Sequence, residues 1–184
     1  HRFVDSGLHG QAYEDTSLPI GAGQTISKPN VVARMLALLL QAPLCQRGEG
    51  LARVLEVGTG CGYQAAVLSL VCKEVYTVER IKELHLRAKS NLRPFRLPNV
   101  HLIFQDGSSG YPKGAPYSGI ISAAGADLIP NSWYEQLAVG GRLVAPQNNE
   151  RGQQSLVVVD RTSQGYETSL CEDVQFVPLK SGTE

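Results

Sequence analysis

The sequence predicts an α/β fold with a mainly parallel sheet, helices on both faces of that sheet and an antiparallel edge at its C-terminal end. From residue 52 onward, short apolar and β-branched runs alternate with helical runs. This alternation is typical of βαβ units, whose parallel strands are covered on both faces. The last two or three strands have no helical run between them, which predicts an antiparallel edge. The 184 residues suffice for a single domain with a full core.

Within that domain we expect a loop and leading helix over residues 1–50, a ligand-binding core over 51–147 and C-terminal strands over 148–184. The predicted loops cover residues 17–30 and 44–50, the first because it has no helical or strand period. The predicted helices cover residues 29–43, 63–73, 80–95 and 131–138. The predicted strands cover residues 52–57, 74–79, 99–104, 117–122, 140–146 and 155–160, followed by extended chain over 166–179.

Composition narrows the classes of function. Seventeen basic side chains balance seventeen acidic ones, so there is no electrostatic reason to expect a nucleic acid or an anionic membrane as partner. The four cysteines and four histidines form no ligand-like cluster, so we expect no metal, and reduced thiols in a cytoplasmic protein. The chain begins with a histidine and no signal-peptide pattern follows. We therefore expect the native start to lie upstream, and we expect a monomer.

Three groups of residues follow three successive predicted strands. Glycines at 58, 60 and 62 follow the first strand, Glu79 closes the second, and Asp106 with Gly107 follows the third. Open α/β sheets bind ligands at the carboxyl ends of their strands. Glycines let the backbone approach a ligand, and the carboxylates suit a ribose diol and an adenine amino edge. Each group alone is typical of an ordinary turn or strand end, but together they predict a nucleoside site.

The glycine spacing decides which nucleoside ligand is favoured. A dinucleotide fingerprint places its third glycine where this chain has Tyr63, whereas here the third glycine is Gly62. Glu56, just before the glycines, would also repel a pyrophosphate. A nicotinamide-dependent dehydrogenase is therefore disfavoured. An acidic residue followed by GxGxG suits a ligand with a positive centre and no phosphate, which favours S-adenosylmethionine.

Several segments resemble the motifs of the protein-L-isoaspartate O-methyltransferase family. These are VLEVGTGCGYQAAVLS, VYTVERI, NVHLIFQDG and LAVGGRLVAP. In addition, LPIGAGQTISKP resembles a signature specific to that family, and FV near the start and FVPL near the end match its flanks. The resemblance covers nearly the whole chain and implies a class I methyltransferase fold, which is Rossmann-like. The family usually has further helical sequence upstream of Phe3.

The resemblance implies protein repair. The methyl group of S-adenosylmethionine passes to the free carboxylate of an isoaspartyl residue in a damaged protein or peptide, and S-adenosylhomocysteine is the product. The ester then collapses to a succinimide, which reopens partly to aspartate. The implied catalytic residue is Ser27, and the implied substrate-binding residues are Ile20, Gly21, Gln24, Thr25 and Ser27. The cofactor-binding residues are Thr25, Ile26, Glu56, Gly58, Thr59, Gly60, Gly62, Glu79, Arg80, Ile81, Asp106 and Gly107.

This chemistry needs no general base, because a carboxylate is already ionised at pH 7. We therefore expect Ser27 to hold the acceptor carboxylate by a hydrogen bond, in catalysis by positioning. An alternative is that Ser27 caps the helix that begins at Pro29, and Thr25 could fill either role. Two further functional alternatives stay open: a class I methyltransferase with another acceptor, and a non-catalytic module that binds the cofactor or isoaspartyl residues.

Four positions depart from the usual pattern of the family. Ser118 stands where an aspartate is common, Ala123 where a threonine is common and Asp127 where a proline is common. Ala22 replaces a residue that is often polar. We expect all four to lie near the mouth of the cofactor and substrate sites, where they would affect rate or peptide preference.

Overall fold

The computed structural model describes every residue from His1 to Glu184. Its strands are β1 (Leu18–Gly21), β2 (Gln24–Ile26), β3 (Leu51–Val57), β4 (Cys72–Glu79), β5 (Val100–Phe104), β6 (Tyr117–Ser122), β7 (Leu137–Asn148), β8 (Gln154–Arg161) and β9 (Tyr166–Val174). Its helices are α1 (Pro29–Leu39), α2 (Pro43–Gln46), α3 (Tyr63–Leu68), α4 (Lys82–Leu92) and α5 (Asn131–Gln136). Short 3-10 turns cover Ser6–Gln11, Arg93–Phe95, Gly107–Ser109 and Pro112–Gly114. No helix is long and apolar enough to cross a membrane.

Seven strands form one sheet in the order β5-β4-β3-β6-β7-β8-β9. The pairs from β5 to β7 are parallel, whereas β8 and β9 are added antiparallel. The predicted fold class and its antiparallel edge are therefore confirmed. The chain moves outward from β3 to β5 and then returns to the other side of β3 with β6. The order of the strands thus reverses between β3 and β6, and a crevice forms at such a point, beyond the carboxyl ends of the strands.

Alternate side chains along the central strands enter two separate cores. Val144 of β7 packs with α1, α2 and α3 on one face, whereas its neighbours Leu143 and Ala145 pack with α5 on the other. Trp133 of α5 is fully buried in this second core, and its indole N–H donates to the Gly107 carbonyl at 3.0 Å. The second core therefore also fixes the turn that follows β5.

The segment 17–30, predicted to be a loop, contains a β-hairpin. Strands β1 and β2 pair antiparallel, with Leu18 opposite Ile26 and Pro19 opposite Thr25. Three consecutive residues turn the chain with positive φ: Gly21 at 88°, Ala22 at 50° and Gly23 at 66°. The strands are only four and three residues long. Elements so short leave no readable alternation, which is why the hairpin escaped the prediction.

Several predicted boundaries are also wrong. The helix predicted over residues 29–43 ends at Leu39, and the helix predicted over 131–138 ends at Gln136 because β7 begins at Leu137. Residues 44–50 were expected to form a loop, but α2 extends into them as far as Gln46. The helix expected over residues 63–73 ends at Leu68, because the chain enters β4 at Cys72 and pairs there with Leu51 of β3. Pairing with a central strand thus outweighs the apolar helical pattern of this segment.

Candidate active site

A cleft of about 660 Å³ opens at the carboxyl ends of β3 and β4. Its floor is the glycine loop after β3 and the end of β4, and its walls include the β1–β2 hairpin and residues 177–180. The cleft occupies the crevice that the strand order predicts.

The glycine loop is built on two hydrogen bonds to β4. The Gly58 and Thr59 N–H groups donate to the Val78 carbonyl at 2.9 and 3.3 Å. Gly58 and Gly60 have φ values of 91° and 55° and line the cleft. A Cβ atom on Gly60 would lie 3.1 Å from the Ile20 side chain, so glycine keeps this wall open.

The third glycine has a different role. Gly62 precedes α3 with φ at 90°, and a Cβ atom there would lie 3.1 Å from the Leu92 side chain of α4. Gly62 therefore permits close packing of two helices and does not line the cleft.

Glu79 joins the glycine loop to the end of β4. One carboxylate oxygen accepts the Gly60 N–H at 2.8 Å and the other accepts the Ile81 N–H at 2.9 Å. The side chain is only 4% exposed, yet it lines the cleft together with Arg80 and Ile81. Each carboxylate oxygen has a further lone pair, so Glu79 can accept two more hydrogen bonds from a ligand.

Glu56 lies beneath the glycine loop and not in the lining of the cleft. It is fully buried, and the Thr77 hydroxyl donates to its Oε2 at 2.5 Å, while Thr59 and Thr77 share a second bond of 2.6 Å. Its Oε1 and the neighbouring Gln64 Nε2 are buried without a hydrogen bond. Burial raises the pKa of Glu56 to about 8, although the hydrogen bond from Thr77 opposes this shift.

Gly107 and Asp106, in the turn after β5, have different roles: Gly107 lines the cleft and Asp106 does not. Gly107 lines the cleft, and a Cβ atom there would lie 2.6 Å from the Val57 side chain. The Asp106 carboxylate instead accepts the N–H groups of Ser108 at 2.8 Å and Gly182 at 2.6 Å. Burial favours a higher pKa for Asp106, but these hydrogen bonds outweigh it and hold the pKa below its usual value. Asp106 therefore ties residues 181–184 to the rim of the cleft.

A second, larger cleft of about 1260 Å³ lies beside the first. Ser27, Lys28 and residues 173–177 line it. Thr25, Ala123 and Val177 line both clefts. A group bound in one cleft can therefore meet a group bound in the other at these three residues, which we call the junction.

Ser27 does not cap α1. The N-cap residue is Lys28, which makes no side-chain cap. The Asp15 carboxylate, from before the hairpin, accepts the Asn30 N–H at 2.8 Å. The cap interpretation of Ser27 is therefore wrong, and the Ser27 hydroxyl at the second cleft forms no side-chain hydrogen bond within the chain.

The remaining hairpin residues lie at the first cleft, at a third and smaller cavity, or at the hairpin turn. Ile20 and Gln24 line the first cleft with Thr25, and Ile26 and Thr59 line a small cavity that connects to Ser27. Gly21 lies outside all of these, at the turn, with its Cα facing Glu83 and Arg87 of α4. Arg87 donates to the Ile20 carbonyl at 2.7 Å, which fixes the hairpin against α4.

Of the four departures, Ala123 alone lines the clefts. Ala123 is part of the junction, and Asp127 follows shortly after it and accepts a bond from the Asn148 amide at 2.7 Å. Ala22 is at the exposed hairpin tip. Ser118 is buried near the start of β6, where its hydroxyl donates to the Arg53 carbonyl at 2.8 Å. It lies at the amino end of the strands, so the expectation that it borders the mouth is wrong.

Sequence reasoning missed most of the C-terminal wall. Residues 173–180 line one or both clefts, although the nearest predicted site residue, Gly107, precedes them by more than sixty positions. The only sequence signal was FVPL, Phe176–Leu179, which we noted as a flank and not as part of the site.

Comparison with known proteins agrees with this geometry. A family model described as "Protein-L-isoaspartate(D-aspartate) O-methyltransferase (PCMT)" matches residues 1–184. Proteins named protein-L-isoaspartate O-methyltransferase from Leptothrix cholodnii and Ralstonia nicotianae are 58% and 53% identical to this chain over its full length. The chain spans 64% of the length of the first relative and 60% of the second.

Solved structures agree in fold. A structure named protein-L-isoaspartate O-methyltransferase matches 92% of this chain and 54% of its own, with a TM-score of 0.79 and 28% identity. A candidate of the same name from Plasmodium falciparum, solved with S-adenosyl-L-homocysteine, matches 97% of this chain and 84% of its own. Its TM-score is 0.79 and its identity 23%, so it speaks for the fold alone.

Proposed function

The chain belongs to the protein-L-isoaspartate O-methyltransferase family, and from that premise we propose that it methylates the free carboxylate of L-isoaspartyl residues in damaged proteins and peptides. The methyl donor is S-adenosylmethionine, and the product is S-adenosylhomocysteine. One observation carries the proposal: the cleft lined by the glycine loop and Glu79 meets a larger open cleft at the junction, and the larger cleft is lined by Ser27, whose hydroxyl forms no side-chain hydrogen bond within the chain.

The first cleft fits an adenosyl ligand without phosphates. Glu79 supplies an acceptor for a ribose diol, and the backbone at Gly58 and Gly60 is bare enough for close approach. Val78, Ile81 and Leu84 add apolar surface for a base. These features favour S-adenosylmethionine, which supplies a methyl group on a positively charged sulfur.

The second cleft holds the acceptor in this proposal. The Ser27 hydroxyl donates a hydrogen bond to one oxygen of the isoaspartyl carboxylate, and Thr25 lies where that carboxylate enters the junction. The carboxylate is ionised at neutral pH, so the chain does not need to remove a proton. The other carboxylate oxygen attacks the methyl carbon, the carbon–sulfur bond breaks, and a methyl ester and a thioether result.

The chain therefore contributes alignment. Holding two reactants within contact distance can supply on the order of 7–11 kcal/mol of the barrier. The hairpin is suited to this, because Arg87 anchors it to α4 and Asp15 anchors the helix that follows it.

We also propose that Ser27 orients the acceptor. The residues that line the first cleft would form the cofactor site, and those that line the second cleft would form the peptide site. We also propose that the chain acts as a monomer. Four free cysteines support a reducing, cytoplasmic compartment. Isoaspartyl proteins are the proposed partners, and a balance of seventeen basic and seventeen acidic side chains supports neither nucleic acid nor membrane.

The experiment that tests the proposal measures transfer of a labelled methyl group to a peptide with one isoaspartyl residue. The matched control is the same peptide with an ordinary aspartyl residue. We expect transfer to the first peptide and little to the second. Equal transfer to both would indicate a methyltransferase with another acceptor. Tight binding of S-adenosylhomocysteine without transfer to either peptide would indicate a binding module, and the proposal would fail.

A further inference from the structure

We propose that Gln154 is a positioning residue: its side-chain amide fixes residues 175–179, the segment that passes from the second cleft through Val177 of the junction to the first cleft. The inference rests on the proposed function for its kinetic consequence, whereas the positioning itself is a property of the chain. Gln154 lies at the start of β8, outside the lining of both clefts.

The side-chain amide of Gln154 makes the hydrogen bonds that a neighbouring strand would otherwise make. In the sheet, the backbone of Gln154 pairs with Val174, the last residue of β9. The side chain then reaches two residues further. Its Oε1 accepts the Phe176 N–H at 2.6 Å, and its Nε2 donates to the Phe176 carbonyl at 3.2 Å. One side chain thus satisfies both backbone groups of a residue that has left the sheet.

A second anchor follows directly. The Gly125 N–H donates to the Val177 carbonyl at 2.8 Å, and the Leu179 N–H donates to the Gly125 carbonyl at 2.7 Å. A Cβ atom on Gly125 would lie 2.5 Å from Gln154 Nε2, so the amide packs directly against this glycine. Gln154 therefore contacts both the departing segment and the loop that holds it.

The anchored segment forms part of the junction. Val177 lies between the two anchors and lines both clefts, opposite Thr25 of the hairpin. Phe176 lines only the second cleft, whereas Leu179 lines only the first. Gln154 thus holds the acceptor side of the wall and Gly125 holds the nucleoside side. Loss of the Gln154 anchor should disturb the acceptor more than the cofactor.

The test compares Gln154→Met with Gln153→Met. Methionine keeps the length of the side chain but removes both hydrogen bonds, and Gln153 is an exposed neighbour whose amide contacts only Asn149. Gln154→Glu is the third variant, because it keeps an acceptor for the Phe176 N–H and loses the donor. Amide hydrogen exchange of Phe176 and Leu179 is measured by NMR on the 184-residue chain, beside kinetics with the isoaspartyl peptide.

For Gln154→Met we expect Phe176 to exchange about 10-fold faster, the size of effect that one hydrogen bond typically gives, and Leu179 to change less. We expect kcat to fall about 10-fold and the KM for the peptide to rise, because small misplacements at reacting groups cost rate. The Kd of S-adenosylhomocysteine should stay within about threefold, since the Gly125 anchor persists. Gln154→Glu should lie between wild type and Gln154→Met, and Gln153→Met should match wild type.

Two results would overturn the inference: unchanged Phe176 exchange in Gln154→Met, or equal losses of cofactor affinity and turnover with no recovery in Gln154→Glu. If wild type transfers no methyl group to the isoaspartyl peptide, the proposed function fails. The positioning role is then decided by the exchange rates alone, with the same expected and contrary outcomes.

Discussion

At the scale of single residues, Ser27 combines access with availability. It lines the second cleft close to the junction, and no group of the chain occupies its hydroxyl. A hydroxyl held in this way can bind an arriving carboxylate without first giving up an internal partner.

Ser27→Ala should therefore lower turnover and leave stability unchanged. We expect kcat to fall about 10- to 100-fold. The negative charge of the carboxylate decreases as it is methylated, so the hydroxyl contributes by aligning the acceptor and not by stabilising a developing charge. The affinity for S-adenosylhomocysteine should be nearly unaltered. Kinetics and thermal melts on the same sample check this. A lower melting temperature with normal turnover would show that Ser27 serves the fold.

Glu79→Ala should weaken cofactor binding. Calorimetry with S-adenosylhomocysteine should show a loss of about 1.5–3 kcal/mol, the range for a hydrogen bond to a charged group. The substitution also removes the acceptor of the Gly60 N–H, which donates to the Glu79 carboxylate at 2.8 Å in the wild-type chain. Glu83→Ala, an exposed change on α4, is the control. An unchanged affinity in Glu79→Ala would contradict the assignment.

Residues whose position follows from a local motif were predictable from the sequence. Gly58, Gly60 and Glu79 line the cleft because strand ends and glycine spacing place them there. Asp106 was harder, since its partner Gly182 lies 76 residues away and no spacing reports that contact. Glu56 was expected to contact the ligand, but its side chain turns under the loop toward Thr77. The direction of a side chain at a strand end depends on neighbouring strands, which a single sequence does not specify.

At the scale of elements, the β1–β2 hairpin and α1 are positioned as one unit. Arg87 of α4 holds the Ile20 carbonyl at 2.7 Å and Asp5 at 2.8 Å, and Asp15 holds the first turn of α1. The long helix α1 was predictable from its apolar face and its prolines. The hairpin was not, because its stability comes from these distant contacts and not from its own pattern.

Asp15→Ala should destabilise the chain through α1. A side-chain acceptor at a helix start contributes about 0.5–2 kcal/mol, and its loss should lower the melting temperature by a few degrees, about 2–4 °C per kcal/mol at this size. Asp15→Asn keeps the acceptor oxygen and should be milder. Glu14→Ala, at an exposed neighbour, serves as the control. Equal melting temperatures for Asp15→Ala and wild type would show that the cap contributes nothing.

At the scale of the whole molecule, a buried carboxyl makes stability depend on pH. Burial raises the pKa of Glu56 to about 8 in the folded chain, whereas an unfolded glutamate titrates near 4.5. Between these values the folded state binds a proton that the unfolded state does not. Stability is therefore fullest below the unfolded pKa and falls as pH rises toward 8, at about 1.4 kcal/mol per pH unit.

Glu56→Gln should remove this dependence. Urea unfolding between pH 5 and pH 8 should show that wild type loses about 2–4 kcal/mol more than the variant. Glu150→Gln, at an exposed residue in the β7–β8 turn, should follow wild type. Parallel curves for wild type and Glu56→Gln would mean that Glu56 is ionised in the folded chain throughout this range.

The two sides of the junction come from segments far apart in the sequence: Thr25 precedes the seven-stranded sheet, and Val177 follows its last strand. A growing polypeptide that has completed β3 to β7 already possesses the glycine loop and Glu79, yet it lacks the wall beyond β9. Competence to bind both reactants should thus arise during synthesis only after Val177 has been added. Ligand binding should also stabilise the folded chain, because a ligand at 100 times its Kd adds about 2.7 kcal/mol to the free energy of unfolding. Local opening of either segment should release the ligand before the central strands open.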